Sequence, residues 1–104
     1  MKVALITGAS KGIGKACAIR LAKDGYTVVI NYSSSDAAAR QTLEQIEADG
    51  GQGMTYKADV SKLAEVKQMV RDVFKAYGRI DVLVNNAGIV RDEYLLMLNP
   101  DTLD

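Results

Sequence analysis

The segment Thr7-Gly8-Ala9-Ser10-Lys11-Gly12-Ile13-Gly14 has the residue types and spacing of an anion-binding turn. Its three glycines permit a sharp bend and let backbone N–H groups come close to a bound group. A helical pattern opening at Ile13 adds unsatisfied amides and the positive end of a helix dipole. Such a junction favours a phosphate, most often the pyrophosphate of a dinucleotide. A nucleoside-triphosphate loop does not fit. Ala9 stands where that loop needs its first glycine, and Ala16 follows Lys15 where a hydroxyl should meet magnesium. The Gly8–Gly12 gap also departs from the common G-x-G-x-x-G spacing. With no histidine and a single cysteine, Cys17, the chain has no Ser-His-Asp or Cys-His pair and no zinc site with nitrogen and sulfur ligands.

The turn must be held by the elements on either side of it. Val3–Ile6 reads as a buried strand, apolar on both faces, as in a parallel sheet covered on both sides. A helix from about Ile13 to Lys23 shows Ile13, Ala16, Cys17 and Arg20/Leu21 at helical spacing, which puts Cys17 in the core. Thr27–Ile30 is a second β-branched strand. Ser33, Ser34 and Ser35 offer cap oxygens to a helix carrying Ala39, Leu43 and Ile46, closed by Gly50-Gly51. Met54–Ala58 is a weaker third strand.

Ser61 is then expected to cap a helix with the stripe Leu63, Val66, Val70, Val73 and Tyr77, stopped by Gly78. Ile80–Val84 is a fourth strand, followed by Asn85-Asn86-Ala87-Gly88. Tyr94–Leu98 reads as apolar packing, and Asn99-Pro100-Asp101 has the form of a helix start. Alternation of strand and helix with short connections argues an α/β fold. We expect a Rossmann-type doubly wound parallel sheet between helical layers, with strand order 3-2-1-4 and the glycine turn at its switch point. A four-stranded sheet with an apolar edge at strand 4 looks unfinished. The expectation is therefore that residues 1–104 are the N-terminal half of a single dinucleotide-binding domain, incomplete at its C-terminus.

Composition narrows the function further. Thirteen basic and thirteen acidic residues cancel, so charge gives no argument for nucleic acid or an acidic membrane as partner. Apolar residues make up 48 %, enough for a core. The apolar run after Lys2 is too short for a signal peptide, and no stretch approaches the roughly 20 residues that span a bilayer. With one cysteine and no internal disulfide, a cytoplasmic location is expected.

The spacing of the glycine turn, together with Asn85-Asn86-Ala87-Gly88 at the end of strand 4, resembles the short-chain dehydrogenase/reductase family. The wording of both motifs, the second continued by Ile89-Val90-Arg91-Asp92, is similar to the family's 3-oxoacyl-(acyl-carrier-protein) reductase branch, with acetoacetyl-CoA reductases as near neighbours. The resemblance implies an NADP(H)-dependent oxidoreductase that reduces a 3-oxoacyl thioester, carried by acyl-carrier-protein or CoA, in fatty acid synthesis. It also implies a homotetramer of the complete subunit. Gly8, Ser10, Gly12, Ile13 and Gly14 would surround the phosphates and adenosine ribose. Asp59 would accept from the adenine amine with Val60 beside the ring, and Asn86, Ala87 and Gly88 would line the cofactor ribose. Thr7 would tie neighbouring loops together, a role also open to Asn85 and Asn86.

Cofactor choice should be settled at the end of strand 2, where an Asp or Glu would bind the ribose hydroxyls of NAD. Here Asn31-Tyr32-Ser33 is neutral, the first carboxylate is Asp36, and Lys11 can reach the same pocket. That pattern favours NADP, and Lys11→Glu or Asn31→Asp should move preference toward NADH. In the family a Tyr-x-x-x-Lys pair donates the proton to the reduced carbonyl. Four residues after Tyr26, Tyr32, Tyr56, Tyr77 and Tyr94 stand Ile30, Asp36, Val60, Asp81 and Leu98. No catalytic residue is therefore assigned, and the chain alone is expected to be inactive. The alternative is a non-catalytic nucleotide-binding module.

Overall fold

The computed structural model describes residues 1–86, and Ala87, Gly88, the apolar run Tyr94–Leu98 and Asn99-Pro100-Asp101 lie outside them. The order is β1 (Lys2–Thr7), α1 (Gly12–Lys23), β2 (Tyr26–Tyr32), α2 (Asp36–Ala48), β3 (Gln52–Lys57), α3 (Leu63–Tyr77) and β4 (Val82–Asn85). The strands form one parallel sheet in the order β3-β2-β1-β4. Alternating side chains of the central strands feed two cores. Val3, Leu5 and Val29 meet Val66, Met69, Val70 and Val73 of α3 on one face. Ala4, Ile6, Val28 and Ile30 meet Ala18 of α1 with Ala39 and Ile46 of α2 on the other. Each fully buried Val, Leu, Ile or Met side chain contributes about 1.5–3 kcal/mol, and each alanine less.

Helix α1 lies differently from its expected orientation. Its buried residues are Gly14 and Ala18, whereas Ile13 is 75 % exposed and Cys17 only half-buried. The apolar spacing of Ile13, Ala16, Cys17 and Leu21 is real, but those residues line an open groove with Arg20 and Val84. Small residues face the sheet because the helix begins hard against the glycine turn, where a bulky side chain would hold it away. In α3 the buried stripe gains Met69, and Leu63 sits at the surface.

The serine caps are not formed as expected. Ser35 occupies the cap position of α2 and Lys62 that of α3, each without a side-chain cap bond. Ser61 instead gives its N–H (3.0 Å) and hydroxyl (2.6 Å) to Asp59 Oδ1. A local Asx-type turn outcompetes the cap. The Glu65 carboxylate reaches back to accept the Asp59 N–H at 2.9 Å.

Strand β4 is held in register by Asp81. Its Oδ2 accepts the Val3 N–H at 2.8 Å, and its own N–H donates to the Val3 carbonyl at 2.8 Å. Arg79 adds a two-pronged contact at 2.7 and 2.8 Å. The resulting register sets Thr7 opposite Asn85. The Arg79 guanidinium and the Val3 amide hold the Asp81 carboxyl down at about 2, against an ordinary value of about 3.9. A depressed folded-state value means that the unfolded chain takes up protons first, so stability falls with pH. The Asp81 contribution is complete above about pH 4 and is lost between about pH 4 and 2. Asp81→Asn should flatten that part of an acid-melting curve, which circular dichroism across pH 2–5 checks.

Candidate functional site

β1 ends at Thr7 and the chain turns directly into α1. Gly8 and Gly12 take positive φ values of 61° and 66°, backbone conformations that favour glycine. Lys11 stands extended at the start of α1 and its side chain makes no cap bond. Lys11 has no side-chain acceptor to offer, so the residue at the cap position leaves the first amides of the helix, which have no intrahelical acceptor, available to a ligand. Gly14 answers a different need. A Cβ there would fall on the Gly8 carbonyl oxygen, 2.7 Å from Asn86 Nδ2 and 2.9 Å from Ala9 Cα. Its lack of a side chain lets α1 press against the turn that precedes it.

The turn is tied to both neighbouring strands. On the β4 side Thr7 Oγ1 lies 3.2 Å from Asn85 Oδ1 and accepts the Asn86 N–H at 3.0 Å. The Asn86 amide donates to the Gly8 carbonyl at 3.2 Å. Thr7 thus has the tying role that the resemblance implied. On the β2 side the Asn31 carbonyl accepts the Ala9 N–H at 3.0 Å and its Oδ1 accepts the Gly8 N–H at 3.3 Å. Asn31 Nδ2 donates to the carbonyls of Tyr56 (3.3 Å) and Ala58 (3.2 Å). From α2, the Thr42 hydroxyl donates to the Ser10 carbonyl at 3.0 Å.

These bonds revise the expectation for Asn31. It is 2 % exposed, and its amide is committed on both sides to the turn and to β3. An aspartate in its place would face two carbonyl oxygens rather than a ligand at the rim. The rim itself is formed by Tyr32, half-buried, and by Ser33 and Lys11, both exposed. Ser10 is half-buried and Ile13 is exposed beside the start of α1.

Asp59 follows β3 at the same end of the sheet. Hydrogen bonds from the Ser61 hydroxyl and N–H hold its carboxyl below the ordinary range, so it is ionised and acceptor-only near neutral pH. Oδ1 carries both bonds, and Oδ2 has no hydrogen bond among the described residues. Val60 is partly buried against the α3-side core. Of the expected site, Ala87 and Gly88 are not described.

Thr42 was not foreseen. Its signal was a hydroxyl inside the apolar stripe Ala39–Leu43–Ile46, where a buried polar group needs a partner. Also unforeseen was the contact from Tyr32 Oη to Asp36 Oδ1 at 2.7 Å, which Arg40 Nη2 extends to Asp36 Oδ2 at 3.1 Å.

Residues 2–104 match the family model described as short chain dehydrogenase. The chain is 44 % identical over 103 residues to the 3-oxoacyl-[acyl-carrier-protein] reductase FabG of Staphylococcus epidermidis, covering 99 % of this chain and 42 % of that protein. It is 48 % identical over 97 residues to the 3-oxoacyl-[acyl-carrier-protein] reductase of Synechocystis, covering 93 % and 39 %. The chain thus spans about two fifths of the length of the curated relatives it matches. Among solved structures it is similar to a metagenomic short-chain oxidoreductase in complex with NADP, with TM-score 0.80, 33 % identity, and coverage of 93 % of this chain and 48 % of that one. A short-chain dehydrogenase/reductase from Serratia marcescens gives TM-score 0.81 and 38 % identity, covering 86 % and 37 %.

Proposed function

The chain belongs to the short-chain dehydrogenase family, and from that membership we propose that it forms the cofactor-binding portion of an NADPH-dependent 3-oxoacyl thioester reductase. The observation that carries the proposal is the fit of Gly14 against Gly8 with Asn86 bridging them. It builds a compact turn, lined by backbone amides, at the point where the sheet order reverses. A bulkier residue would fill the space in which α1 meets that turn. The residues present suit a dinucleotide. The amides at the start of α1 would hold the pyrophosphate, and the remaining oxygen of Asp59 would accept from the adenine amine beside Val60. Asn86 would keep the turn closed, and Asn86, Ala87 and Gly88 are proposed as the residues that line the cofactor ribose.

NADP(H) supplies a hydride when bound. This chain's part is to bind and orient it. Reduction of a ketone also needs a proton for the developing alkoxide, and no tyrosine of the sequence is followed four residues later by lysine. The proton donor of the reaction is therefore assigned to other residues of the active subunit. The substrate class, a 3-oxoacyl group on acyl-carrier-protein or CoA, rests on the identity to the named reductases. A cytoplasmic homotetramer is part of the same proposal. Among the described residues no helix is long and apolar enough to cross a membrane.

The preference for NADPH rests on the neutral residues Tyr32 and Ser33 and on the exposed cation Lys11. In the natural gene product that carries this sequence, acetoacetyl-CoA should drive oxidation of NADPH. Lys11→Glu should weaken NADPH binding tenfold or more relative to NADH, about 1.4 kcal/mol. Fluorescence titration of both cofactors checks this. Equal affinity of the parent for the two cofactors would overturn the NADP assignment.

A further inference from the structure

Successive residues of the glycine turn are held by different elements. Gly8 and Ala9 give their N–H groups to Asn31 of β2. Ser10 is held through its carbonyl, which accepts the Thr42 hydroxyl of α2 at 3.0 Å, from 32 residues away in the sequence. No other donor reaches that carbonyl among the described residues. Thr42 is 0 % exposed, on the face of α2 that also buries Ala39 and Ile46. Valine would fill the same space with no polar atom to satisfy. The hydroxyl is therefore what this position adds to the packing.

That hydroxyl has one proton and two oxygens in reach, since the Ala38 carbonyl lies at 3.1 Å. Ala38 sits one helical turn back within α2, where its carbonyl already takes the backbone N–H of residue 42. The Ser10 carbonyl has no such donor and is the stronger claimant on the proton. A peptide group is planar and trans, so its C=O and N–H point to opposite sides. Drawing the Ser10 carbonyl toward α2 turns the Lys11 N–H away from α2. That amide, like those of Gly12, Ile13 and Gly14, donates to no acceptor among the described residues.

We propose that Thr42 is a positioning residue for cofactor binding. Acting through the Ser10 carbonyl, its hydroxyl fixes the Ser10–Lys11 peptide and keeps the Lys11 N–H among the amides offered to the cofactor's phosphates. The proposal rests on the reading of the Gly8–Gly14 turn as a dinucleotide site. Thr42 itself is buried and touches no ligand. Without its hydroxyl the Ser10 carbonyl loses its donor, and the Lys11 amide turns with the peptide as that carbonyl swings toward water. One hydrogen bond between neutral groups is worth a factor of a few to about ten in an equilibrium. That range bounds the effect on affinity.

The test is fluorescence titration with NADPH on the natural gene product carrying this sequence, with urea midpoints measured alongside. Thr42→Val keeps the branched shape and removes the proton, and should weaken NADPH binding about threefold to tenfold. Thr42→Ser keeps the hydroxyl and should stay within about twofold of the parent. Ile46→Val, one turn along the same buried face, loosens α2 without touching the Ser10 carbonyl. It should lower the urea midpoint and leave NADPH affinity within about twofold. Should Thr42→Val not fold, Thr42→Ala against Thr42→Ser makes the same comparison. Affinity unchanged on removing the hydroxyl, or lost equally with serine in place, overturns the inference. So does an equal loss in Ile46→Val, which would make Thr42 a support of the helix alone. If the parent binds no NADPH, the dinucleotide reading itself fails and takes the inference with it.

Discussion

Gly14→Ala is expected to weaken NADPH binding at least a hundredfold while costing about 1–3 kcal/mol of stability, the usual penalty for an added methyl in a closed site. The new Cβ would meet the Gly8 carbonyl and Ala9 Cα, both backbone, neither able to swing aside. The Asn86 amide could retreat, but only by giving up its bond to Gly8. The turn must then open away from α1, and the amides that would grip a pyrophosphate lose their common focus. Misplacement on the scale of an ångström is enough for a loss of this size. Gly12→Ala separates strain from collision. Among the described residues, and apart from its chain neighbours and the backbone of its own helix, nothing lies within 4 Å of the added Cβ, so the positive φ is the main penalty, at about 1–2 kcal/mol. Fluorescence titration and urea melts of the two variants should show Gly14→Ala losing far more affinity per unit of stability lost. Binding of NADPH within twofold of the parent by Gly14→Ala would refute the close abutment of turn and helix.

The architecture was legible because β1 and β2 are apolar on both faces and every helix between strands carries a periodic stripe. Strand order followed from short right-handed connections, and the structure has it as β3-β2-β1-β4. What periodicity could not reveal was which side of α1 meets the sheet. Ile13, Ala16, Cys17 and Leu21 make a better apolar stripe than Gly14 and Ala18, yet the sheet takes the small residues. Closeness of approach, fixed at the glycine turn, outweighed apolar area. The serines ahead of α2 and α3 make no cap bonds for a related reason. A serine competes among several local acceptors, and at Ser61 the carboxylate of Asp59 wins. Position in the sequence says that Asn31, Tyr32 and Ser33 end a strand. It does not say which of them turns inward, because that depends on the β3 carbonyls and the glycine turn together.

Asn31→Asp provides the sharper test, since sequence and structure lead to different outcomes. Read from the strand end alone, it should exchange NADPH for NADH preference. In the structure the new oxygen would face the carbonyls of Tyr56 and Ala58, where the asparagine now donates to both. At pH 7 a buried carboxylate against two carbonyl oxygens should cost about 3 kcal/mol or more. Both cofactors should bind more weakly, because the Gly8 and Ala9 amides lose a rigid support, and their affinity ratio should barely move. The pH dependence distinguishes this from simple loss of a side chain. Burial and the two carbonyl dipoles raise the carboxyl of the variant above its unfolded value. Between those values the folded state binds more protons, so stability should rise as pH falls from 7 toward 5. A protonated carboxyl can then donate to one of the carbonyls. Asn31→Ala leaves the same partners unmet with no group to titrate, and should show no such recovery. Urea melts of both variants at pH 5 and 7 decide the matter. A reversed cofactor preference with unchanged stability would place Asn31 at the rim instead of in the joint between the glycine turn and β3.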